Sequence, residues 1–396
     1  MLINGKRALA YIVTIDEIKP ISGYDRVEHA RTNGWWVIVS KNDNLKVGDK
    51  CVYFEIDSRV PADDERFAFL AKREFKVKTL RMCKVLSQGL LMPVSVFKFN
   101  SLPVGEDVTD LLHITYAADE DNARKAAVDE QAKYNGMQCR HKRLFKTRLF
   151  KWLMRYEKCR KILFAIFGRR EDKPIPFPSC ISKTDEERIE NLPQKLGTDT
   201  VYVMTEKLDG TSSTYLLERH GLNKFKFTVC SRNRGLPRPK NKSEADTYWQ
   251  MAFKYDIEKH LTDYLKNNLE KKFICIQGEI VGPGIQGNPL NLDEVKLFGY
   301  NVIDDEFGRW SSYDGRFYLD SIGIPWVPIL GKTVLPKDMD TMKLSADGNS
   351  VLNPSRLREG IVYRGLDGKD SFKNVSNEYL LHQGKLKPRK KAATNE

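Results

Sequence analysis

Between Arg7 and Leu112 the apolar residues come in short runs, not at helical spacing. Ala8–Thr14 (ALAYIVT), Trp35–Val39 (WWVIV), Cys51–Ile56 (CVYFEI) and Lys76–Val85 carry the β-branched and aromatic content of strands. Ser22-Gly23, Asn33-Gly34 and Val47-Gly48-Asp49 between them are turn sequences. Short strands at this density suit a small barrel, and an OB-type barrel is the usual module of that size in nucleic-acid enzymes. Trp35 and Trp36 adjoin on one strand and must point to opposite faces, so one is core and at most one is open for base stacking.

The pattern changes near Ala117. Ala117–Lys133 is polar, rich in Ala, Asp and Glu, and helical in character. From Arg140 to Arg170, Phe145, Leu149, Trp152, Tyr156, Leu163 and Phe167 recur near a 3.6-residue period, which predicts a basic amphipathic helix or a broken pair. Three roles stay open for it: tracking a phosphate backbone, lying on an anionic membrane surface, or docking its apolar face on the rest of the chain. Pro174, Pro176 and Pro178 mark a linker.

Beyond it, strands are expected at Thr200–Thr205, Ser212–Glu218, Lys224–Cys230, Phe273–Val281, Val295–Ile303, Gly360–Arg364 and Ser371–Val375. One helix is announced by Ser243 and Asp246 and runs to about Leu269, with Tyr248, Met251, Tyr255, Leu261 and Leu265 on one side. Lys183–Arg188 reads as a helix start with acids in its first turn. Gly282-Pro283-Gly284 with Gly287 lacks the spacing of a P-loop and reads as a structural loop beside the cleft. The fold class is α+β. Residues 1–113 form an OB barrel, 114–176 a basic helical insert, 177–383 an antiparallel-sheet domain with a deep cleft, and 384–396 a basic tail.

Composition narrows the partners. A chain of 396 residues with 41% hydrophobic and 30% charged positions is globular. It has no run approaching the roughly 20 apolar residues of a membrane span, and Met1–Ala10 does not read as a signal peptide, so a cytoplasmic location is expected. Seven scattered cysteines without a CxxC pair argue for reduced thiols and against a zinc site. The net charge of +13 favours a polyanion, above all nucleic acid, and Arg140–Arg170 alone carries twelve Lys or Arg against one acid, Glu157.

The chemistry is concentrated in Thr205-Glu206-Lys207-Leu208-Asp209-Gly210-Thr211. An apolar strand delivers Lys207, Asp209 and Gly210 make a turn, and a second strand begins. This stretch resembles the KxDG element with which covalent nucleotidyltransferases attack the α-phosphate of ATP or GTP. Five further segments resemble that superfamily's motifs in order: Ser231-Arg232-Asn233, Gly278-Glu279-Ile280, Lys296-Leu297-Phe298, Arg358-Glu359-Gly360-Ile361-Val362 and Ser371-Phe372-Lys373. The resemblance implies catalytic roles for Lys207 and Lys373. It implies nucleotide contacts from Glu206, Arg232, Glu279, Glu359 and Lys373, and an aromatic ring at Phe298 against the purine. Asp209, Glu279 and Glu359 would hold hydrated Mg²⁺ or Mn²⁺. A free lysine has a pKa near 10.4, so the amine must lose its proton, helped by the ion and by a cation such as Lys373.

The N-terminal region is similar to the OB domain of ATP-dependent RNA ligases that carry it ahead of the catalytic domain. The residues concerned include Thr14-Ile15-Asp16, Ile21–Asp25, Gly34–Val37, Val47–Asp49, Tyr53–Ser58, Lys78–Arg81 and Ser87–Leu91, with Phe177-Pro178-Ser179 and Lys183–Arg188 before the catalytic domain. The resemblance implies joining of RNA 5′-phosphate and 3′-hydroxyl ends with ATP and a divalent ion, through AMP on Lys207; a monomer acting in RNA repair is expected. The rivals are a DNA ligase, a capping-type enzyme, or a silent RNA-binding relative. Two departures stand out. Val375 occupies a position where many RNA ligases have a second lysine, which leaves Lys373 alone or with Lys385 or Lys387. The basic insert has no counterpart in the family, and a substrate clamp is the expectation for it.

Overall fold

The computed structural model describes residues 2–3, 6–82, 84–117, 141, 143–167, 175–221 and 223–386. Most of the expected polar helix at 117–133 and the tail from residue 387 lie outside them.

The N-terminal domain is a small barrel. Strands β1 (Ala10–Thr14), β2 (Glu17–Ile21), β3 (Tyr24–Thr32), β4 (Trp35–Ser40) and β5 (Lys50–Phe54) are followed by the short β6 (Leu80–Met82), β7 (Val85–Ser87) and β8 (Leu90–Pro93). One sheet runs β8-β5-β1 and another β2-β3-β4. Asn33 and Gly34, at φ 47° and 81°, form the tight turn that sets Thr32 opposite Trp35. The alternation along β4 buries Trp35 and leaves Trp36 half-buried, with the Lys19 ammonium 4.9 Å and the Arg31 guanidinium 5.8 Å from its ring.

Two strand expectations change. Lys76–Val85 is not one strand: β6 and β7 pair with each other, the chain reversing at a left-handed Lys84. The nine-residue β3 escapes a hydrophobic search because its first half faces solvent and is polar.

Among its described residues the insert has two helices, α1 (Arg148–Leu153) and α2 (Glu157–Phe167). Phe145 and Phe150 pack with Leu144, Met154 and Leu163 in a separate small core. Trp152 and Tyr156 do not join it: their rings meet edge-on at 5.0 Å and are about half exposed. The side chains of Leu149 and Phe167 are outside the described set.

The C-terminal domain is built from two sheets. Strands β9 (Val201–Lys207), β10 (Thr211–Gly221), β11 (Lys224–Ser231) and β12 (Arg234–Leu236) precede the helices α3 (Thr247–Lys254) and α4 (Ile257–Asn267). Then follow β13 (Phe273–Val281), β14 (Lys296–Asp304), α5 (Ser312–Ser321), β15 (Ile329–Val334), α6 (Met339–Leu344), β16 (Gly360–Gly365), β17 (Ser371–Val375) and α7 (Asn377–Leu386). The larger sheet has the central order β12-β11-β10-β13-β14, with two-residue strands at its edges, and the smaller has the order β15-β9-β16-β17. The main core joins the larger sheet to the helices through Trp249, Leu261, Leu265, Ile276, Val302 and Leu319.

The single helix expected over 243–269 is two. Asp246 caps α3 by accepting from Trp249 N at 2.9 Å, but Asp256 is left-handed at φ 45° and breaks the run. The break re-phases the apolar stripe, so that Ile257, Leu261 and Leu265 bury at strict four-residue spacing. Lys183–Glu187 has no regular structure, against the helix start expected there, and only a short 3₁₀ turn follows at Ile189–Asn191.

The barrel docks on the smaller sheet's side. Arg31 pairs with Asp340 at 2.8 Å, and a β-carbon at Gly34 would come within 2.6 Å of Met339. Among the described residues no helix is long and apolar enough to cross a membrane.

Candidate active site

Strand register assembles the site. β9, in the smaller sheet, ends on Lys207, and β10, in the larger sheet, starts at Thr211, so Leu208–Gly210 crosses between sheets. Gly210 makes the crossing possible, since a β-carbon there would lie 2.3 Å from the Ile280 carbonyl oxygen. Lys207 pairs with Gly360, which brings the neighbouring Glu359 to 2.6 Å from Lys207 Nζ. Ser212 pairs with Glu279, and Val362 pairs with Lys373. A cavity of about 320 Å³ opens at this junction.

Charge dominates its lining. Burial would lower the Lys207 pKa, but Glu359, Glu279 and Asp209 outweigh it and hold the ammonium above its ordinary range. The protein's own groups therefore work against the depression expected for a nucleophile, and that must come from added positive charge. Glu279 is pushed up to about 8 by burial, with Glu359 and Asp209 reinforcing and Lys207 opposing. Burial also raises Glu359, against the pull of Lys207. Asp209 accepts from the Tyr379 hydroxyl at 2.6 Å. Burial lowers Lys373, which donates to Asp185 at 3.0 Å. Arg232 lies 3.4 Å from the same Asp185.

Glu206 is fully buried; one carboxylate oxygen accepts from Val351 N at 2.8 Å, while Oε1 has no hydrogen-bond partner among the described residues.

Lys207, Glu206, Asp209, Arg232, Glu279, Glu359 and Lys373 thus all line one cavity. Phe298 does not. Its ring is part of the main core, and the register shift opposite it, between Gln277 and Gly278, breaks the simple alternation from which a facing could be read. Tyr300 lines the cavity instead, bonded through its hydroxyl to Ser212 at 2.8 Å and Thr184 at 3.0 Å. Lys385's side chain and Lys387 lie outside the described residues, and Val375 is buried in the pairing with Gly360.

Sequence reading also missed Asp185, Arg364 and Tyr379. Asp185 had a signal: Lys183–Arg188 offers no apolar residue for a helix to bury. Arg364, buried and donating to Thr205 Oγ1 at 3.0 Å, sat unremarked in a strand.

The oxygen-rich, mutually repelling set of Asp209, Glu279 and Glu359 fits a hard divalent cation. Among the described residues, however, no three acidic, His or Cys side chains converge closely enough to enclose one. The carboxylates suit an ion that keeps its waters, and they do not form a ready-made cage.

A family model described as RNA ligase matches residues 200–375, and one described as an OB-fold domain matches 9–94. A mutant of the Naegleria gruberi RNA ligase with AMP and Mn is 28% identical over 96% of this chain and 100% of that one, with a TM-score of 0.67. A second mutant, with ATP and Mn, is 27% identical over the same shares, also at 0.67. The Naegleria enzyme with PPi is 29% identical over 95% of this chain and 98% of that one, at 0.66. No curated protein matches the chain by sequence. With both modules matched in this order and the fold shared along the chain, residues 200–375 belong to the RNA ligase family and follow an OB-fold domain.

Proposed function

We propose that Lys207 carries AMP in this ATP-dependent RNA ligase, which seals 5′-phosphate and 3′-hydroxyl ends in RNA repair. The observation that carries the reading is the position of Lys207 Nζ: it lies 2.6 Å from Glu359, feels the charges of Glu279 and Asp209, and shares its cavity with Lys373 and Arg232. A divalent ion, when bound, supplies positive charge that offsets the carboxylates and the phosphate oxygens. Relieved of its proton, Nζ attacks the α-phosphorus and pyrophosphate leaves. Lys373, already low in pKa, faces the phosphates with Arg232, whose guanidinium offers a fork of donors. AMP then passes to the RNA 5′-phosphate, and the 3′-hydroxyl displaces it.

Base choice falls to Glu206. It lines the cavity beside Lys207, where a carboxylate can accept from an exocyclic amine, which adenine presents and which a carbonyl at that position would repel.

α-Labelled ATP and GTP, each with Mg²⁺ or Mn²⁺, test the assignment. ATP should label the wild-type protein and leave Lys207→Met unlabelled. Label on a residue other than Lys207, or equal label from GTP, would falsify it. Ligation assays on nicked duplex, single-stranded RNA, RNA–DNA hybrids and DNA then define the ends accepted.

A further inference from the structure

The two cations assigned to phosphate above are already engaged. Asp185 Oδ1 accepts from Lys373 Nζ at 3.0 Å, and Asp185 Oδ2 lies 3.4 Å from Arg232 Nη2. Each oxygen of one carboxylate thus takes one cation, as two oxygens of a phosphate would. Arg7, from the barrel, adds its charge to the same carboxylate, and Arg188 adds its own to the surroundings of Lys373. Burial alone would raise the Asp185 carboxyl, yet Lys373 and Arg232 hold it below the usual range. Asp185 is placed to let go. Its side chain is 43% exposed, it sits in the irregular segment before the 3₁₀ turn, and it lines the cavity.

We propose that Asp185 is a resident competitor for phosphate, a positioning residue that holds Lys373 and Arg232 in place, yields them to the incoming nucleotide, and retakes them as pyrophosphate leaves. The proposal rests on the ATP-and-Lys207 reading. No covalent step is involved, only an exchange of anions around two cations. A triphosphate or pyrophosphate carries several charges against one and wins the exchange when present. The carboxylate lowers the affinity of both and so shortens the stay of the product. Without Asp185 the cations would bind phosphate more tightly and release it more slowly.

Calorimetric titration of pyrophosphate into Lys207→Met protein, which cannot react, reads the effect directly. Adding Asp185→Asn or Asp185→Ser should tighten pyrophosphate about fivefold, the scale of one partly exposed ion pair, while Asp185→Glu stays near the parent. In otherwise wild-type protein, Asp185→Asn should lower the KM for ATP and strengthen inhibition of adenylylation by pyrophosphate. Near-UV circular dichroism checks folding. Unchanged or weaker pyrophosphate binding in a folded Asn or Ser variant overturns the proposal, and so does loss of fold in both, since Asp185 would then be a structural pin. If wild-type Lys207 takes no label while the pyrophosphate shift appears, the function reading fails and the competitor role survives, so the two failures are distinguishable.

Discussion

The ligase cleft and the basic insert both concentrate charge, and they hold it in opposite ways. In the cleft, strand pairing fixes Lys207 against Gly360, Glu279 against Ser212 and Lys373 against Val362, so charged groups meet at set distances inside a partly buried space. Burial and like charge then shift their proton affinities, as with Glu279 near 8. In the insert's described residues, two short helices rest on a core of Phe145 and Phe150, with Trp152 and Tyr156 half exposed. Charge fixed at a distance can move a proton or stabilise a leaving group. Charge on an open helix surface can only attract.

The sharpest break of that contrast is at Lys207. Lys207→Met should cost roughly 10⁴-fold or more in adenylylation, measured by label transfer, while leaving RNA binding intact. Next come the carboxylates. Glu279→Gln and Glu359→Gln should each slow adenylylation on the order of 10²-fold, with partial recovery at raised Mn²⁺; no response to metal would remove them from the ion's surroundings. Deleting residues 140–170 should weaken RNA about tenfold at low salt and flatten the slope of log affinity against log salt, with adenylylation unchanged. Unaltered affinity would dispose of the clamp.

The smallest effect is in pH. Glu279 is protonated in the fold up to about 8 and ionised above about 4.3 when unfolded. The folded state therefore binds the extra proton between those values. Stability should fall as pH rises through that window and level off above it. Burial raises Glu359 and Glu206 in the same direction. Mn²⁺ should raise the melting temperature by several degrees more near pH 8 than near pH 5. Calorimetry showing a flat profile, or a rise with pH, would refute the burial of these acids.

What the sequence disclosed follows from how local each feature is. Strands Phe273–Val281 and Ser371–Val375 were legible to the residue, the first because it is an apolar run. The Asn33-Gly34 turn declared itself by residue type alone. β3 was hidden by its solvent-facing polar half, and the break at Asp256 by a stripe that continues after changing phase. The charged motif residues converge because strand register carries them to one junction, with Lys207 opposite Gly360, Glu279 opposite Ser212 and Lys373 opposite Val362. Phe298 misled because sequence order does not show which face a ring takes beside a register shift. Tyr379 was out of reach for another reason: its partner lies 170 residues away.

That last separation bears on how the enzyme is made. Tyr379 sits in the final described helix and grips Asp209 just after the nucleophile. A ribosome emits the loop long before the residue that steadies it. A nascent chain can bury most of its cores and still lack this clasp, so a truncated product ending before α7 would be folded in bulk yet lack the Tyr379 bond to that aspartate.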